Sequence, residues 1–148
     1  MDLSLIEQKL TSLNEESQAV FGMMTAQHMV EHLTITLKLA SGRIAYPPFT
    51  PSEQQLEWKQ ALLFTPMEFP KGIKAPGIKT HELMPLKYPS LQEAKIQLLK
   101  AIREYNTFFE ENPDGLTNHP RFGMLNHQEW ELFHPKHFKH HLGQFNCW

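Results

Sequence analysis

HQEWELFHPKHFKHH, residues 127–141, holds five of the chain's nine histidines, and its spacing decides how the polypeptide is organised. Asn126 just before it, with Glu129 three residues on, forms a helix-start pattern. From there Trp130, His134, His137, His141 and Gln144 fall along one side of a helix. Residues four apart on a helix are turned by about 40° and displaced by about 6 Å, so His137 and His141 project side by side. Both imidazoles can reach one ion. His140 points about 100° away from His141 and suits a surface or subunit contact. His127 lies in the first turn, where exposure is expected. His134 precedes Pro135, which removes a backbone hydrogen bond and should bend or restart the helix there; His134 is either an outer hydrogen-bonding residue or a structural one.

Working outward, MTAQHMVEHL, residues 24–33, carries a second pair, His28 and His32, at the same spacing. Thr25 is an N-cap for this helix, which is expected to continue to about Ser41 with Gly42 closing it. His28, His32, Ile35 and Leu39 repeat at three and four and define one face. Taken alone, either histidine pair also fits the solvent edge of a helix. Two pairs on apolar helices packed face to face would bring three or four neutral imidazoles together. That donor set suits zinc, nickel, copper or iron. Without a metal, several buried imidazoles would leave donors and acceptors competing.

Two further main helices frame these. The first is predicted over about Leu3 to Glu16, opened by Ser4 with Glu7. Another starts at Ser90 with Glu93, carries the apolar stripe Leu91, Leu98, Ile102, Tyr105 and Phe109, and ends at the turn Asn112-Pro113-Asp114-Gly115. Between the second and third main helices, Thr50, Pro51 and Glu53 predict a short helix ending near Phe64. TPMEFPKGIKAPG, residues 65–77, has three prolines and two glycines, which predicts a long irregular loop suited to rim a pocket. His81 and His119 fall in loops and would need those loops to fold inward. No strand-like alternation competes, so an all-α four-helix bundle with a short extra helix and a long Pro-rich middle loop is the most economical fold.

At 148 residues the chain suits a single domain spanning 1–148. A formal charge of -2 with scattered Lys and Arg lacks the basic stripe of a phosphate-backbone binder, so nucleic acid is excluded as the expected partner. No stretch approaches the roughly 18 apolar residues of a membrane span, and the amphipathic start does not read as a leader, so a cytoplasmic location is expected. The single cysteine, Cys147, forms no internal disulfide and stands where a frayed end, rather than a nucleophile, is expected.

HFKHHLGQF, in which His137, His141, Gly143 and Gln144 spell H-x-x-x-H-x-G-Q, resembles the closing signature of the DinB-like superfamily of four-helix-bundle metalloproteins. MTAQHMVEHL is similar to that family's second helix, and HPRFG at 119–123 and FPKGIKAPG at 69–77 are similar to a branch of unknown function. The resemblance implies metal ligands at His32, His137 and His141, with His28 either an added ligand or an outer hydrogen-bond donor. It implies a divalent transition metal, zinc or nickel ahead of manganese or iron, and a homodimer. The implied activity is that of a metal-dependent hydrolase or thiol S-transferase, with water or a low-molecular-weight thiol directed at a small electrophilic substrate; a non-catalytic metal- or ligand-binding dimer module is the alternative. Two residues are candidates for a catalytic part. Glu31 neighbours His32 as a conceivable general base, although about 100° off the ligand face, where a solvated charge fits better. Gln144, one turn after His141, could fix a ring nitrogen or a substrate, or make a plain helix-end hydrogen bond.

Overall fold

A computed structural model describes residues 1–71 and 83–148. Among the described residues the order of elements is α1 Leu3–Lys9, α2 Ala26–Ala40, α3 Glu53–Phe64, α4 Leu91–Glu111, β1 Thr117–His119, β2 Gly123–Leu125 and α5 His127–Gly143. The fold is therefore mostly helical, and the expectation of a purely all-α chain is corrected by a two-stranded antiparallel ribbon that pairs Thr117 with Leu125 and His119 with Gly123.

Side-chain caps set most of the helix starts. Thr25 accepts from the amide of His28, Ser90 from that of Glu93, and Asn126 and Glu129 form a reciprocal capping box. Helix α2 closes at Ser41, followed by Gly42 at φ 68°, a conformation a residue without a Cβ adopts freely. Two boundaries differ from expectation. Helix α1 is capped by Asp2, not Ser4, and stops at Lys9, because Thr11, Asn14 and Ser17 bond to nearby backbone and side-chain groups instead of extending it. Helix α3 starts from a capping box of Ser52 with Gln55, two residues beyond Thr50. Residues 65–71 are irregular, as the prolines predict. Residues 72–77 of that stretch, and His81, lie outside the described residues.

Helix α2 packs chiefly on α4 and also on β1 and α5, while α3 packs on α5. The face α2 turns to the core is Met29, Val30, Leu33, Leu37 and Ala40, all fully buried. Of the expected face, Leu39 is buried but Ile35 is 37% exposed, so that face lies toward one side of the core. Helix α5 buries Trp130, Phe133, His134, His137, Phe138, His141 and Leu142, and continues through Pro135 without restarting. One polar chain locks these pieces together. Trp130 Nε1 donates to Thr117 Oγ1 at 2.8 Å, and Thr117 Oγ1 donates to the carbonyl of Ala40 at 2.9 Å. It ties α5 through β1 to the end of α2, which fixes how the two histidine-bearing helices meet.

Candidate metal centre

His32 of α2 meets His137 and His141 of α5. His32 Nε2 and His137 Nε2 stand 3.0 Å apart. The His141 ring centre is 4.6 Å from both the His32 and His137 ring centres. One ring nitrogen from each of the three lies within 4.8 Å of the others. His137 and His141 are buried and His32 is half-buried. Two imidazole nitrogens at 3.0 Å can share either one proton or one cation. The third ring brings a further nitrogen within reach of the same point.

Gln144 orients that third ring. Its Oε1 lies 2.7 Å from His141 Nδ1; with the carbonyl accepting, Nδ1 carries the proton and Nε2 keeps its lone pair for the cluster. The amide end of Gln144 donates to the carbonyl of Phe21. The ring contacts also shape the wall: Phe69 packs 5.6 Å from His137 and 5.7 Å from His140, and Phe133 packs 4.9 Å from His137. Phe69 belongs to the Pro-rich stretch expected to rim a pocket, but nothing in its sequence spacing singled it out.

All three imidazoles hold protons poorly. Burial pushes His32 down to about 4, with His140 adding to the effect. Burial first, then His32, brings His141 to about 3 against the opposing hydrogen bond to Gln144. Burial and then His141 and His32 carry His137 well below the usual value. At neutral pH the site is three lone-pair donors with no carboxylate among them. Such a donor set matches zinc, nickel or copper, and does not match magnesium or calcium. The three imidazoles are compatible with a transition-metal site.

The remaining candidates lie elsewhere. His28 is not in the cluster; its Nδ1 is 2.7 Å from Thr25 Oγ1 at the helix cap. Glu31, expected to be a solvated charge, is buried. Its carboxylate accepts from the amides of Lys87 at 2.7 Å and Tyr88 at 3.1 Å and from Gln27 at 2.9 Å. His119 does fold inward, and its Nδ1 accepts from the amides of Arg121 and Phe122 at 3.1 and 3.2 Å, holding the ribbon's turn. His134 is fully buried, stacked on Trp130 with ring centres 5.2 Å apart, and neither ring nitrogen has a partner among the described residues. His127 stacks on Phe109 at 4.5 Å and is half-buried. His140 is likewise half-buried, edge-on to Phe21.

A family model described as a protein of unknown function (DUF1569) matches residues 79–147. The matched part, a little under half of the chain, includes α4, the ribbon and all of α5 with His137 and His141; His32 lies before it. No curated protein and no solved structure matches the chain. No helix among the described residues is long and apolar enough to cross a membrane.

Proposed function

We propose that His32, His137 and His141 hold one divalent transition metal, zinc or nickel ahead of manganese or iron, in a metal-dependent enzyme. It directs water or a low-molecular-weight thiol at a small electrophile, as a hydrolase or thiol S-transferase. The observation that carries the reading is the convergence of neutral imidazoles from helices about a hundred residues apart, with His32 and His137 nitrogens at 3.0 Å. The DinB-like resemblance of H-x-x-x-H-x-G-Q supports it, and with it the four-helix-bundle description of the fold and a homodimeric state. When bound, the metal supplies a water or thiol of near-neutral pKa. The chain's residues then have defined parts. The three imidazoles bind, Gln144 holds His141 in the tautomer that leaves Nε2 bare, and Phe69 and Phe133 keep water from one side of His137.

A non-catalytic metal- or ligand-binding module is the second reading. It is favoured by the commitment of Glu31 to backbone amides, which leaves the nearest carboxylate in the sequence unavailable as a base. Turnover separates the two. Activated esters and epoxides, each offered with and without a small thiol, are expected to react with the purified protein, to stop reacting after chelation, and to resume with added zinc or nickel. A protein that binds metal tightly yet turns over nothing in either panel is a binding module.

A further inference from the structure

A second site lies between the end of α2, the approach to α4 and the middle of α4. There Lys38, Arg43, Lys87 and Lys100, with Gln97 and Glu104, line a cavity of about 270 Å³. Four basic residues and one acidic residue line it, a local surplus of three positive charges in a chain whose formal net charge is -2. With 16 acidic residues against 14 basic ones, an even scatter would give no such surplus.

Glu104 answers only part of it. The carboxylate lies 3.1 Å from Arg43 Nε and 3.9 Å from Lys100 Nζ. Lys38 donates to the Tyr88 hydroxyl at 3.1 Å and has no carboxylate partner among the described residues. The Lys87 ammonium has none among the described residues. A cation in the last turn of α2 is explained by the helix dipole, but that accounts for Lys38 alone. Lys87 and Lys100 sit on other elements.

The pocket is also held in place. The buried carboxylate of Glu31 grips the amides of Lys87 and Tyr88, so the backbone that carries Lys87 is anchored to the helix that carries Lys38. The lysine ammoniums act on a phosphate as point charges on flexible stems, and the Arg43 guanidinium adds fixed donors that match phosphate geometry. The concave shape and small volume suit a small molecule and not the extended backbone of a nucleic acid.

We infer that this pocket binds the phosphate group of a small phosphorylated ligand. The inference does not depend on the histidine cluster being a metal site. Pyrophosphate and inorganic phosphate are the probes, titrated into the full chain at constant ionic strength and followed by amide chemical shifts. Saturable shifts are expected at Lys38, Lys87 and Lys100, larger for pyrophosphate, with at least tenfold weaker binding in the double variant Lys38→Gln, Lys87→Gln. Lys9→Gln, at a residue that lies over the Trp148 ring and does not line the pocket, should leave binding unchanged. The inference is overturned if shifts do not saturate, if chloride at equal ionic strength reproduces them, if the double variant binds as the unaltered chain does, or if the shifts centre on His32, His137 and His141 instead.

Discussion

Gly22 adopts φ 85°, and a Cβ built there would stand 2.7 Å from the Gln144 amide nitrogen that donates to the Phe21 carbonyl. The residue is small because Gln144 must pass close to the backbone to reach His141. Gly22→Ala is therefore expected to displace Gln144 and weaken metal binding, and Gln144→Leu to do so directly. A loss of about 10- to 100-fold is the usual consequence of removing such an orienting partner, read from a competition titration with a chromophoric chelator. At this scale the sequence was informative where the chemistry is local. His137, His141 and Gln144 share one helix side, so their alignment follows from spacing. Glu31 was misjudged because its partners, Lys87 and Tyr88, lie 56 and 57 residues away, and no local pattern announces a carboxylate clamped by distant backbone amides.

The helices owe their ends to caps that are visible as residue types, which is why α2, α4 and α5 begin where Thr25, Ser90 and Asn126 predict. The ribbon was invisible for a physical reason. Its strands are three residues each, and Thr117, Asn118 and His119 are all buried, so no alternation of apolar and polar positions exists to be seen. The α2 face named from spacing, His28, His32, Ile35 and Leu39, is not the most buried one: Met29, Leu33 and Leu37 are fully buried on a helix that packs chiefly on α4, and local spacing does not register that packing. The ribbon nevertheless sets the geometry between α2 and α5. Thr117→Val keeps the side-chain shape but removes the hydroxyl that serves both Trp130 and the Ala40 carbonyl. Leaving that indole N–H and carbonyl buried without partners should cost about 1–3 kcal/mol for each group, seen as a lower urea midpoint. An unchanged midpoint would show that the polar chain contributes nothing.

The molecule as a whole carries an acid-sensitive interior. Burial, then Arg121 and Lys59, lowers His119 to about 3, and burial, then His119, lowers His134 to about 3. Both are neutral when folded and would take up protons near pH 6.5 when unfolded. The unfolded chain thus binds more protons between about pH 6.5 and 3, so stability falls as pH falls through that window, by up to about 1.4 kcal/mol per pH unit for each histidine. Urea midpoints measured from pH 7.5 to 4.5 should drop steeply, and His134→Phe should flatten the slope; a flat profile in the unaltered chain contradicts this. What spacing cannot supply at this scale is the meeting of α2 with α5, which depends on packing across the whole core. That meeting is also the central claim, and metal content tests it most directly. After growth with zinc and nickel, elemental analysis should find one transition metal per chain, and none in His32→Ala, His137→Ala or His141→Ala with each variant shown to be folded by circular dichroism. A folded, unaltered chain that carries no metal, or a His32→Ala protein that retains a full equivalent, would contradict it.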